Sequence, residues 1–223
     1  MNPAATATEV EDIHEDRRWI DIHQRYVGEA NDKEPEVVFI GDSLIQSLEQ
    51  SEIWEKKISQ FHCLNFGIGG DTTQNVLWRL ENGELDFTTP PKVIILLCGT
   101  NNHGHTPEQV VAGLEAILRL ISEKQPQAAI IILTIPPRGH KPNPVREKNA
   151  QINSLLHGVV PNFPKAQLFD IDKAARFVQS DGTINHHDMY DYLHLTKIGY
   201  WKAFEPVYEL LEQILITDKV DEK

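Results

Sequence analysis

Along the 223 residues, short runs of consecutive apolar residues alternate with longer stretches whose apolar positions recur every three to four residues. Unbroken runs suit strands buried on both faces, and the longer spacing suits amphipathic helices. Val37-Val38-Phe39-Ile40, ending at Gly41, is one such run. Lys92–Cys98 is the clearest, and Ile130–Thr134 follows it. His62–Asn65 and Gln167–Asp170 are shorter and weaker strand signals. Between these runs the spacing predicts helices over Leu44–Ile58 and Thr72–Leu80, and from Pro107 through Ile121. A further helix runs from Pro144 to about His157, and the last carries Phe204, Val207, Leu210, Leu211, Ile214 and Leu215. Thr106-Pro107 and Asn143-Pro144 each read as an N-cap followed by proline at the first helical position. Trp19, Ile22 and Tyr26 place an additional helix within the charged stretch 9–28.

Strands alternating with helices predict an α/β protein: a three-layer sandwich with a central parallel sheet of about five strands. One domain is expected over residues 9–216, including an N-terminal helical arm, with 1–8 and 217–223 as flexible tails. Right-handed crossovers bring the strand C-termini to one edge, where ligand sites of such sheets lie. The residues just beyond the strands are therefore the ones to inspect. They are Gly41-Asp42-Ser43, Gly67-Ile68-Gly69-Gly70-Asp71, Gly99-Thr100-Asn101-Asn102 and the Asp170–His194 loop. That last loop is long enough to carry function.

Composition narrows the classes. Lys plus Arg is 21 against 33 for Asp plus Glu, a net charge of −12. Such acidity repels phosphate backbones and argues against a nucleic-acid partner. The excess is uneven: residues 1–36 hold ten acids against four bases, and residues 205–223 hold six against two. The intervening chain is nearly neutral. Two cysteines, Cys63 and Cys98, cannot build a disulfide framework. No basic, apolar leader opens the sequence and no apolar run approaches a membrane span, so a cytoplasmic protein without a transmembrane segment is expected.

The inspected residues carry complementary chemistry. Ser43, between a strand and a helix, would lie where free N–H groups favour developing negative charge, but needs a base to become a nucleophile. Asp191 and His194, three apart on an expected first helical turn, would face the same way. There the carboxylate can orient the imidazole. Gly69-Gly70 and Asn101 offer backbone and amide donors for an oxyanion. Each has a bland alternative: an N-cap serine, a surface Asp–His pair, a tight turn with Asp71 capping the next helix, an Asx-turn. All four falling at strand ends favours a site. Other chemistries fit less well. His186-His187-Asp188 and His103-x-His105 lack a standard zinc spacing, so no metal or cofactor is expected. Gly67-x-Gly69-x-x-Thr72 lacks the third glycine of a dinucleotide loop, and Ile45 stands where a Gly-x-Ser-x-Gly elbow needs glycine.

The blocks Gly41-Asp42-Ser43-Leu44, Gly67-Ile68-Gly69-Gly70-Asp71, Gly99-Thr100-Asn101-Asn102 and Asp191-x-x-His194 resemble those of the SGNH (GDSL-type) hydrolase superfamily, whose fold is flavodoxin-like. Lys33–Ser43, Leu64–Leu85, Gly99–Thr106 and Ser180–Leu195 resemble, within it, the catalytic α subunits of the intracellular type I platelet-activating factor acetylhydrolases. The resemblance implies Ser43 as nucleophile, His194 as general base and acid, and Asp191 as orienter. It implies an oxyanion hole of the Ser43 and Gly70 N–H groups with the Asn101 amide, and an acetyl pocket shaped by Leu44, Thr100 and Leu193. It further implies a short-acyl phospholipid substrate, a homodimer or a heterodimer with a related α subunit, and a WD-repeat regulatory β subunit. The alternatives are an SGNH esterase of another short-acyl substrate, and a non-catalytic scaffold that binds the WD-repeat partner.

Overall fold

In the computed structural model the backbone is described for residues 2–221 and the side chains for residues 2–216. Five strands form one sheet: β1 (Val37–Gly41), β2 (Cys63–Gly67), β3 (Val93–Leu97), β4 (Ala129–Leu133) and β5 (Ala166–Phe169). Their order is β2-β1-β3-β4-β5 and every pairing is parallel. The chain steps from β1 outward to β2, then returns to place β3 on the other side of β1. Such a reversal opens a crevice at the strand C-termini.

Alternation along the strands divides the core in two. Val38, Ile40, Ile94, Leu96, Ile130 and Ile132 face one helical layer, packed with Tyr26, Val76, Leu114 and Ile152. Those partners come from α1 (Arg18–Asp32), α4 (Thr73–Arg79), α5 (Pro107–Lys124) and α6 (Pro144–Val159). Val37, Phe39, Val93, Ile95 and Ile131 face the other layer, packed with Leu44, Trp54, Ile171 and Phe204. Those partners come from α2 (Ser43–Leu48), α3 (Glu52–Lys56), α7 (Ile171–Ala175) and α8 (Lys197–Asp221). The expected three-layer α/β sandwich with five parallel strands is therefore the observed one. Thr106 and Asn143 cap α5 and α6 as expected: Thr106 accepts from the Gln109 N–H, and Asn143 accepts from the Val145 and Arg146 N–H groups.

Four local expectations are corrected. The single helix over Leu44–Ile58 is broken, because the Ser51 hydroxyl donates to the Leu48 carbonyl (2.6 Å) and accepts from the Trp54 N–H (3.3 Å). Serine thus competes for backbone groups, ending α2 and starting α3. The arm becomes helical only at Arg18, because the Asp12 carboxylate takes the Asp16 and Arg17 N–H groups and holds residues 12–17 as a turn. The loop after β5 contains α7, capped by Asp170.

The fourth correction concerns the ends of the chain. Residues 2–8, expected as a flexible tail, are docked. Ala4 is fully buried, the Asn2 amide donates to the Gln109 carbonyl (3.0 Å), and the Thr73 hydroxyl donates to the Ala4 carbonyl (2.8 Å). Small apolar residues here fit against Gly113 of α5, where an added Cβ would meet the Ala4 oxygen at 2.3 Å. The expected tail at 217–223 begins inside α8, whose helical backbone reaches Asp221. Glu222 and Lys223 lie outside the described residues. Among the described residues no helix is long and apolar enough to cross a membrane.

Candidate active site

Ser43 opens α2 directly after β1. The strand end is tight: a Cβ at Gly41 would stand 2.1 Å from the Leu97 carbonyl oxygen, so only glycine lets the chain turn here. Asp42 caps α2, its Oδ1 accepting from the Leu44 N–H at 3.0 Å. The Tyr200 hydroxyl, from α8, donates to the Leu44 carbonyl at 2.8 Å and ties the turn down. Ser43 Oγ then lies 3.0 Å from His194 Nε2, a partner 151 residues away in sequence.

His194 and Asp191 meet, but not on a helix. They lie in a tight turn before α8, closed by an antiparallel bridge between Met189 and Leu195. The Tyr192 N–H donates to the Met189 carbonyl (3.1 Å), and Tyr192 takes a left-handed φ of 61°. Asp191 Oδ1 accepts from the Leu193 (3.1 Å) and His194 (2.7 Å) N–H groups. Its Oδ2 is free to meet His194 Nδ1 at 2.6 Å. An Asx-type turn thus does what a first helical turn was expected to do. Partial burial pushes the Asp191 carboxyl up, but the hydrogen bonds from the His194 ring and from the two backbone N–H groups outweigh it. The net effect holds the carboxyl below its ordinary value. An ionised Asp191 fixes the tautomer with the proton on Nδ1 and leaves Nε2 to accept from the serine.

The three expected donors follow the C-terminal ends of β1, β2 and β3. The Ser43 N–H belongs to the first turn of α2 and has no intrahelical partner. Gly70, exposed with φ +86°, turns the chain after β2, and its N–H makes no hydrogen bond among the described residues. Asn101 is half-buried, and its Nδ2 donates to the Asp71 carbonyl at 3.0 Å. That bond consumes one N–H and orients the amide, leaving the second. Of the three residues expected to shape an acyl pocket, Leu44 is fully buried, Thr100 is nearly so and Leu193 is half-buried. Thr100 is held by Arg138, whose Nη1 donates to its carbonyl and its hydroxyl, each at 3.2 Å.

Asp71 does not cap α4, as one reading had it; Thr72 does. Its carboxylate instead accepts from Trp19 Nε1 (2.7 Å) and from Arg79 Nε (2.8 Å). Arg79, fully buried, also pairs with Glu84 and donates from Nη2 to the Gly41 (3.2 Å) and Phe66 (3.1 Å) carbonyls. Sequence reasoning missed this network. Its one signal was an arginine on the apolar face of a helix, flanked by Val76, Leu77 and Leu80.

Asp42 was likewise missed as a titrating group. It is fully buried, and its Oδ2 has no hydrogen-bond partner. Burial first, and then the neighbouring Asp71 charge, raise its pKa from 3.8 to about 7 against the opposing Leu44 N–H and Arg138. The folded state then binds this proton more tightly than the unfolded chain, so its contribution to stability declines as pH rises from about 4 to about 7. Asp42→Asn keeps a capping oxygen and removes the titration. The melting temperature of the wild type is therefore expected to fall more steeply than the variant's between about pH 4 and about pH 7. Parallel melting curves across that range would refute the assignment.

Among the described residues no group of three or more His, Cys, Asp or Glu side chains could hold a metal ion. The His186 and His187 rings are exposed and lie tilted against each other at 35°, centroids 4.1 Å apart.

Known proteins resemble this chain in sequence and in fold. Residues 39–202 match the GDSL-like Lipase/Acylhydrolase family. The chain is similar to the platelet-activating factor acetylhydrolase IB subunit alpha1 of Homo sapiens, 53% identical over 218 residues, covering 98% of this chain and 93% of that one. It is similar to subunit alpha2 of Gallus gallus, 54% identical over 214 residues, covering 96% and 92%. A crystal structure of a GDSL-like lipase from Bacteroides thetaiotaomicron superposes with a TM-score of 0.70 at 16% identity, covering 85% of this chain and 98% of that one. The last of these speaks for the fold alone.

Proposed function

The chain belongs to the GDSL-like lipase/acylhydrolase family and is a carboxylic ester hydrolase, and from that premise we propose that it removes the sn-2 acetyl group of platelet-activating factor-like phospholipids. The observation that carries the mechanism is the chain of hydrogen bonds Ser43 Oγ–His194 Nε2 (3.0 Å) and His194 Nδ1–Asp191 Oδ2 (2.6 Å). Ser43 Oγ attacks the acetyl carbonyl as His194 Nε2 takes its proton. The Ser43 and Gly70 N–H groups and the Asn101 amide hold the oxyanion. Collapse breaks the ester bond, and the lyso-lipid alkoxide leaves with the proton from His194. Water then attacks the acetyl-serine, His194 again takes and returns the proton, and acetate leaves. No step requires a metal or cofactor.

The acyl preference rests on Leu44, Thr100 and Leu193. Leu44 and Thr100 are buried and Leu193 is half-buried, which supports a closed, apolar wall beside Ser43 that favours a short acyl group. The names of the curated relatives support a place as one subunit of an assembly. On this reading the chain works in the cytoplasm, pairing with itself or with a related subunit, and a WD-repeat protein is a further partner. Wild-type protein is expected to hydrolyse the acetyl phospholipid and to lose activity steeply with longer sn-2 chains. A fluorophosphonate is expected to label Ser43, fluoride leaving as the Oγ–P bond forms. Equal rates on long sn-2 chains would overturn the acetyl pocket. Folded protein that neither labels nor turns over would favour the scaffold reading.

A further inference from the structure

The N-terminal arm borders a half-open cleft of about 1010 Å³ beside the catalytic serine. The arm is pinned at two places. The Thr8 N–H donates to the Gln74 carbonyl (3.0 Å), and the Asn75 amide donates to the Thr8 carbonyl (3.0 Å). Trp19 Nε1 donates to Asp71 (2.7 Å), next to Gly70. Between these anchors residues 9–17 form a strap without helix or strand, standing off the body and leaving the cavity beneath. Val10, Ile13 and Ile22 line it from the arm, and Ile68, Gly69 and Gly70 from the loop after β2. Ile13 is 72% exposed, an apolar side chain left in water at the mouth.

The cavity abuts the chemistry through Gly69 and Gly70, which line it, while Ser43 and His194 do not. Gly69 borders it, and a Cβ there would lie 3.7 Å from Ser43 Cβ. Gly69 is fixed by its N–H, which donates to Gln46 Oε1 at 3.0 Å. The sheet order places the loop after β2 on one side of Ser43 and Thr100, which follows β3, on the other. An ester on Ser43 with its acyl group toward Thr100 and its leaving oxygen at His194 has the Gly69 side open for the rest of its alcohol. The volume is at the upper end for small-molecule pockets, far more than an acetyl group fills. Four carboxylates at the mouth (Glu9, Glu11, Asp12, Asp16), against Arg17 and Arg18, disfavour a free fatty acid. A neutral hydrocarbon tail carried by the alcohol meets both conditions.

We propose that the cleft between the strap 9–17 and the Ile68–Gly70 loop binds the single long alkyl chain of the leaving alcohol. The inference rests on the acetyl-phospholipid reading above and deepens it, by making the arm the element that reads the chain which is not cleaved. Anchorage through Trp19 to Asp71 places the chain-binding element one residue from an oxyanion donor.

The test separates binding from turnover. Two lyso alcohols, 1-octyl- and 1-butyl-glycerophosphocholine, are titrated calorimetrically into the full chain as monomeric solutions. Burying one methylene is worth roughly a fourfold change in affinity, so the octyl compound is expected to bind at least about tenfold tighter. In the double variant Val10→Asp/Ile13→Asp that preference should fall below about threefold, while Ile13→Leu retains it. Ile13 is largely exposed, so its replacements are compatible with folding, and melting temperatures verify this. Equal binding of the two alcohols by the wild type overturns the proposal. So does a preference that survives in a folded double variant; if that variant also passes from dimer to monomer, the cleft is a contact with a second copy. The acetylated forms of both alcohols are assayed in parallel. Chain-dependent binding without turnover leaves the cleft standing and refutes the substrate; turnover with chain-independent binding does the reverse.

Discussion

Ser43→Ala is expected to lower kcat on the acetyl phospholipid by roughly 10⁶-fold, with little change in stability. The size follows from what the hydroxyl does. In the proposed mechanism it forms the bond to carbon, and without it His194 can at best activate water, at a distance fixed for serine. Proper residual activity is what oxyanion donors and binding alone provide, roughly 10³-fold over water. The side chain is half-buried and Asp42, not Ser43, caps α2, so losing one hydroxyl leaves the turn and its Tyr200 tether in place. Single-turnover kinetics with a chromogenic acetyl ester, alongside a melting curve, check both halves. A folded variant retaining more than about a tenth of wild-type activity would remove Ser43 from the mechanism; the expected loss is far larger.

Arg79→Met should destabilise the fold more than any other single change at the site. The side chain is fully buried between Asp71 and Glu84, themselves nearly or fully buried, and serves the Gly41 and Phe66 carbonyls. Methionine fills similar volume but leaves two buried carboxylates without their cation. Removing one member of such a group typically costs about 3–5 kcal/mol. Against a total stability of roughly 5–15 kcal/mol, that is a large part of the whole. Denaturant unfolding measures it, and a loss below about 1 kcal/mol would show that the network adds no net stability. The damage is also expected in catalysis, because Asp71 joins the oxyanion loop to Asn101 and to the arm. Arg79→Lys, which keeps the charge but not the fork, should retain part of the stability and less of the activity.

Much of this was legible in one dimension. Runs such as Val93–Leu97 read as strands buried on both faces, since they are too short for a buried helix and rich in β-branched residues. Alternation with amphipathic stretches forced a parallel sheet, and the sheet forced the strand ends together. Ser43, Gly70 and Asn101 could therefore be read as neighbours, and the resemblance carried by the four blocks gave them roles. The helix break at Ser51 was less legible, because a serine among helix formers ends a helix only where its hydroxyl finds the right carbonyl. The docking of residues 2–8 left no pattern at all: Pro3, Ala4 and Ala5 read as a tail until Gly113 supplies the surface they fit.

By itself the sequence determined the layers, the strand ends and the residue types gathered there, because hydrophobic periodicity and cap chemistry act between neighbours in the chain. Only the tertiary structure decided which atoms meet. It joined Ser43 to His194 and aimed Asp191 through an Asx-type turn instead of a helix. It left one Asp42 oxygen without a partner, buried Arg79 beneath the oxyanion loop, and stretched the arm over a cleft beside the serine. The physical reason is common to all of these. Burial and hydrogen bonding between residues far apart in sequence depend on where the folded backbone brings them, and no local spacing records that.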